Sequence, residues 1–107
     1  MSDVSVCSKV GDVLYELRSQ YTSQPALKDA KNLIREVIQY ETKISPDIRS
    51  MVAEVVGAMD VLLSSLADPA ADHNDLYKDV INKFLTWTNN LGITRFSKRD
   101  ALMRLIS

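Results

Sequence analysis

Residues 48–66, IRSMVAEVVGAMDVLLSSL, are the most apolar helix-length stretch of the 107-residue chain. Ile48, Val52, Val55, Met59, Leu62 and Leu66 recur at alternating steps of four and three, the spacing that keeps side chains on one face of an α-helix. Met51, Val56, Ala58 and Leu63 flank this seam and widen the apolar arc to about 160°, more than the narrow stripe of a two-stranded coiled coil. A helix with so wide an arc needs neighbours on more than one side. Arg49, Ser50, Glu54, Gly57, Asp60, Ser64 and Ser65 fill the remaining arc. Glu54 and Asp60 also break the run before the ~20 apolar residues that a membrane crossing requires. Ser45-Pro46-Asp47 marks the start with a capping hydroxyl, a proline whose missing N–H costs nothing there, and a carboxylate beside the positive helix end. Asp68-Pro69 marks the stop.

Towards the N-terminus, Leu27, Ala30, Leu33, Ile34, Val37 and Ile38 form the inward face of a second helix, with Lys28, Lys31, Asn32, Arg35 and Gln39 outward. Ser23 caps it ahead of Pro25, and the bias of the residue before Pro46 away from helical angles ends it near Lys43. Its connection to the central helix is short, which implies antiparallel neighbours. Before the break at Thr22-Ser23-Gln24-Pro25, Val6, Val10, Val13, Leu14, Leu17 and Tyr21 make one stripe of a first helix from about Asp3 to Tyr21, with Tyr15 on its polar side.

Towards the C-terminus, ADPAADHND (residues 67–75) is the longest stretch without periodicity and reads as a loop. Asp72 or Asn74 can cap a fourth helix whose inward face is Tyr77, Val80, Ile81, Phe84, Trp87, Thr88 and Leu91. Gly92 provides the left-handed residue of a helix stop, with Ile93 folding back on Trp87. Ser97 and Asp100 resemble a capping box for a short last helix bearing Ala101, Leu102, Leu105 and Ile106. The expected fold is therefore all-α: one domain over residues 1–107, an antiparallel four-helix bundle with a short C-terminal fifth helix.

Composition agrees with that class. Hydrophobic residues make up 46% and charged residues 25%, ordinary for a globular chain and too apolar for a disordered one. The formal charge of −1 gives no global attraction to nucleic acid or to an anionic membrane. Cys7 is the only cysteine, so no disulfide scaffold or multi-cysteine zinc site can form within one chain. MSDVSVCSKVGDV lacks the basic region and unbroken apolar core of a signal peptide, and a reducing, cytoplasmic setting is the expectation.

Catalytic signatures are scarce: the sequence holds no phosphate-binding glycine loop, no HExxH, no nucleophile elbow and no dinucleotide fingerprint. Cys7 and His73 could form a nucleophile pair only if something oriented them, and the expectation is a buried Cys7 and a solvated His73. Asp68, Asp72, His73 and Asp75 lie close in sequence but do not follow the alternating oxygen pattern of a calcium loop. Helix capping and solubility account for them, and neither a metal nor a cofactor is expected.

Charge is unevenly distributed. Between Ser50 and Tyr77 stand Glu54, Asp60, Asp68, Asp72 and Asp75 with no lysine or arginine, whereas Arg95, Lys98, Arg99 and Arg104 stand against Asp100 alone. That C-terminal segment, LGITRFSKRDALMRLI, has the outline of a helix-turn-helix, although Lys98 occupies a place where the motif buries an aliphatic side chain. Tyr15, Tyr40 and Leu85 are apolar rim residues in excess of one stripe per helix, and if merged they would mark a partner surface or a dimer seam. The sequence thus points to a non-enzymatic protein–protein interaction module that binds another protein or a second copy of itself. The alternative is a nucleic-acid-associated accessory protein whose Arg95, Lys98, Arg99 and Arg104 contact phosphates.

Overall fold

A computed structural model describes residues 2–40 and 43–107. It contains α1 (Asp3–Glu16), a 3₁₀ turn (Leu17–Ser19), α2 (Gln24–Gln39), α3 (Pro46–Ser65), α4 (His73–Asn90) and α5 (Arg99–Ile106), with no strand among the described residues. The five helices pack in chain order, α1 on α2, α2 on α3, α3 on α4 and α4 on α5, and α5 closes back on α1. Buried residues from all five belong to one hydrophobic cluster. No helix of the described residues is long and apolar enough to cross a membrane.

The helix starts follow the local chemistry of their caps. Ser2, Ser23 and Ser45 accept from Ser5 N–H, Ala26 N–H and Ile48 N–H, and Asp72 accepts from Asp75 N–H, so each satisfies an orphan donor of a first turn. Pro25 and Pro46 sit in the first turns of α2 and α3. At the end of α4, Gly92 takes φ 74°, its N–H donates to Asn89 O, and Ile93 N–H donates to Thr88 O. Those two bonds define a Schellman stop at the expected glycine.

In α3 the expected seam is inside: Ile48, Met51, Val52, Val55, Val56, Met59 and Leu62 are buried. They meet Tyr77, Val80, Ile81 and Phe84 of α4, the largest helix–helix contact in the molecule. Lys31 Nζ of α2 donates to Asp60 Oδ1 of α3 at 2.9 Å, an ion pair on the flank of the seam. Across the bundle, the buried Tyr77 hydroxyl donates to Leu14 O at 2.6 Å, and its ring stacks on Tyr21 at 4.8 Å between centroids.

Four local expectations are corrected. The first helix stops at Glu16 and tightens into a 3₁₀ turn, which turns the chain and lets Tyr21 stack on Tyr77 instead of continuing the stripe. The second helix ends at Gln39 with Tyr40 as its C-cap, before Lys43; residues 41 and 42 lie outside the described residues. Ser97 does not cap α5. Lys98 holds the cap position with φ 70°, while Ser97 N–H donates to Ser8 Oγ and Ser97 Oγ donates to Asp12 Oδ1. Finally, Leu33 is 50% exposed instead of facing inward.

Candidate functional site

The exposed Leu33 is the centre of a groove. On α2, Ala26, Asp29, Ala30, Leu33, Val37 and Tyr40 fall on one side, at spacings of three and four residues. On α1, Lys9, Asp12, Val13 and Glu16 do the same, followed by Leu17 of the 3₁₀ turn and Gln20 just beyond it. Two depressions lie between these rows, one reaching Leu17 and Ala26, the other Lys9 and Tyr40. They share Asp12, Val13 and Leu33, so they run together as one furrow along α1 and α2. From Ala26 to Tyr40 the helical rise makes it about 20 Å long.

The groove exists because α2 carries an apolar arc too wide for the core alone. Leu27, Ala30 and Ile34 are buried, and Ile38 packs against the same core. Leu33 is roughly 100° round the helix from Ile34 and cannot reach that core. The small side chains Ala26 and Ala30 stand between the helices and leave the furrow's floor low. Tyr40 at its far end is 80% exposed, the most exposed of the large apolar residues.

Electrostatically the groove is one-sided. Asp12, Glu16, Asp29 and Glu36 line it against Lys9 alone. Asp12 accepts the Ser97 hydroxyl at 3.0 Å, a neutral donor that brings no positive charge to the groove. The ion pairs found among the described residues, Lys31–Asp60, Lys83–Glu54 and Arg99–Asp100, all lie elsewhere. Lys28 and Arg35 project from the opposite side of α2, roughly 140–160° round the helix from Leu33.

The rim residues singled out in the sequence do not meet in one patch. Tyr40 joins the groove. Tyr15 is half-buried under two cations, with Arg18 Cζ 3.9 Å and Lys98 Nζ 5.2 Å from its ring centroid. Leu85 is 9% exposed, because α5 folds over it and brings Arg99, Met103 and Ile106 to its side. In the basic segment, Arg95, Lys98 and Arg104 are exposed. Arg99 is half-buried and lies 3.9 Å from its neighbour Asp100.

The titratable groups weighed for chemistry have structural work. Cys7 is fully buried on α1, and burial, reinforced by the charge of Asp3, pushes its thiol up to about 11. A thiol so raised is almost wholly protonated at neutral pH and is a poor nucleophile. Burial likewise raises the Tyr77 hydroxyl well above its ordinary value, in keeping with its role as a donor to Leu14 O. His73, expected in solvent, is half-buried with Nε2 2.9 Å from Ser65 O. A carbonyl only accepts, so Nε2 carries the proton and the ring caps the end of α3. Asp68 accepts from Ala70 N–H and Asp72 from Asp75 N–H, each within its own turn. No group of three or more His, Cys, Asp or Glu gathers as a metal site among the described residues.

The groove residues that sequence reading missed are Leu33, Asp12, Glu16, Asp29 and Glu36. Ala26, Leu33 and Tyr40, at intervals of seven on α2, are the signal that could have found the furrow. Comparison of the chain with protein-family models, with curated proteins and with solved structures finds no match to any of them.

Proposed function

We propose that this chain, an antiparallel four-helix bundle closed by a short fifth helix, is a non-enzymatic protein-binding module of the cytoplasm that works through the α1–α2 groove. The observation that carries this reading is Leu33: a leucine 50% exposed on the floor of a furrow that ends at an 80% exposed tyrosine. Contiguous exposed apolar surface rimmed by polar residues is what protein-interaction sites present. The employment of Cys7, His73 and Asp72 in core packing and helix ends supports a binding role over a catalytic one. Of the rim residues read from sequence, Tyr40 lines this groove, while Tyr15 and Leu85 lie outside its lining.

The test is a paired capture from a cognate lysate with the wild-type protein and the Leu33→Lys variant, each with and without nuclease. Leu33 is half-exposed, so the variant keeps its fold, which circular dichroism checks. Proteins retained by the wild type after nuclease treatment and lost by the variant support the module. An identical captured set from both sinks it.

A second reading keeps one observation in its favour. Arg18 and Lys98 converge on the Tyr15 ring, and with the exposed Arg95 they make a basic and aromatic cluster suited to a nucleic-acid backbone. On that reading capture disappears with nuclease or high salt, and neutralising Arg95, Lys98, Arg99 and Arg104 abolishes it.

A further inference from the structure

Resting on the reading of the groove as a protein-binding site, we propose that its occupant is a basic amphipathic α-helix of another protein. It lies along α1 and α2 with its apolar stripe on Val13, Leu33 and Val37 and its lysines or arginines against the rim carboxylates.

Three features select this partner. The first is shape. The furrow runs between two helices for about 20 Å, the length of roughly four helical turns, and the described residues include no strand edge to which an extended peptide could add. The second is charge. Groove-lining residues carry four acids against one base, a local −3 in a chain whose total is −1. Like charges held along one furrow repel each other and are relieved by a cationic partner, which is also drawn to the site and oriented there. The same carboxylates repel phosphates, so neither a nucleic acid nor an anionic lipid surface fits this groove. The third is alternation: acids flank Leu33 at Asp29 and Glu36, one turn to either side, so the apolar and anionic contacts repeat with the period of a helix.

A second copy of this chain is a poorer fit. Its basic helix, α5, already spends its apolar face on its own core, with Leu102 fully buried and Leu105 and Ile106 packed against that core.

The experiment uses two designed peptides of about 16 residues, capped at both ends, with the same leucine stripe at helical spacing. One carries lysines on its flanks and the other glutamates. Each is titrated by fluorescence anisotropy, at low and high salt, into the wild-type protein, Leu33→Lys, and a triple variant Glu16→Gln, Asp29→Asn, Glu36→Gln. Asp12 is left intact because it holds Ser97. Expected is binding of the lysine peptide at least about tenfold tighter than its twin, a loss of about tenfold in the triple variant together with most of the salt dependence, and no binding to Leu33→Lys. Amide shifts at Val13, Leu33 and Val37 in labelled protein should report the same contact. Equal affinity for both peptides, failure of the lysine peptide to bind, or a triple variant that binds like wild type overturns the basic-helix partner. The groove reading then still stands or falls by the Leu33→Lys capture alone. A concentration-dependent dimer in sedimentation that Leu33→Lys breaks and the lysine peptide does not displace would also overturn the basic-helix partner, making the occupant a second copy.

Discussion

The α3–α4 seam and the α1–α2 groove are both contacts between consecutive helices, yet one is filled and the other open. Met51, Val55, Met59 and Leu62 of α3 meet Val80, Ile81 and Phe84 of α4, and all of these are buried. Between α1 and α2 the outer edge is lined by small and charged residues beside Val13, Leu17 and Val37, and Leu33 remains half in water. The outer surfaces differ in the same way. A furrow also runs outside α3 and α4, with the exposed Val61 in its lining, but there Lys83 and Glu54 stand 3.9 Å apart as opposite charges on the two helices. In the α1–α2 groove the charges are of one sign. The difference separates what holds this fold together from what it leaves open: large apolar side chains close one pair, and unbalanced carboxylates line the other.

The largest effect that tests this contrast is on stability. Leu62→Ala, at a fully buried position of the seam, should cost about 2–5 kcal/mol in urea unfolding. Leu33→Lys in the groove should change stability by no more than about 0.5 kcal/mol. Comparable losses at both positions would erase the distinction between a closed seam and an open groove.

Next comes the inner side of α1, which the comparison requires to be as closed as α3. At pH 8 a thiol reagent should label Cys7 in the native protein at least about a hundredfold more slowly than in urea. A thiol raised by burial from its ordinary 9.0 to about 11 holds that much less thiolate at this pH. The sign is fixed by the neutral form. Because folding raises this pKa, the contribution of the protonated thiol to stability is complete below pH 9 and is lost as pH rises through about 11. Fast native labelling would show that the openness extends through α1 into the core.

The smallest effect separates two helical glycines. A Cβ at Gly57, on the open side of α3, would meet nothing within 4 Å, so Gly57→Ala should stabilise by up to about 1 kcal/mol through helix propensity. At Gly11 of α1 a Cβ would lie 3.1 Å from Ser97 O and against the Phe96 and Phe84 rings. The Gly11→Ala gain should be cancelled or reversed there. Thermal melts of the two variants should therefore move apart.

Much of the frame was legible because its causes are local. Ser23, Ser45, Asp72 and Gly92 act on backbone within three to five residues, and the α3 seam repeats at the helical period. What could not be read depends on neighbours distant in sequence. Periodicity places Leu33 beside the apolar arc of α2 but does not show that no neighbouring helix covers it. Leu85 looks like rim until α5 folds over it, and His73 looks like loop until Ser65 O comes within 2.9 Å. Ser97 has the sequence of a cap, but its hydroxyl goes to Asp12, 85 residues earlier. The acidic groove was hidden for the same reason: Asp12, Glu16, Asp29 and Glu36 are dispersed among basic neighbours in sequence and gather only when two helices lie side by side.

That joint between Ser97 and α1 also sets an order of assembly. The pairings of α1 with α2, α2 with α3 and α3 with α4 each close short loops, so they can form as soon as adjacent helices exist. Seating Phe96 and Ser97 on Gly11 closes a span of more than 80 residues and waits until the intervening helices have brought the two regions together. Asp12, which lines the groove, is fixed by that same late step. The acidic rim of the groove is therefore complete only in molecules whose fold has closed, and a partner of the proposed kind would sense whether folding has finished.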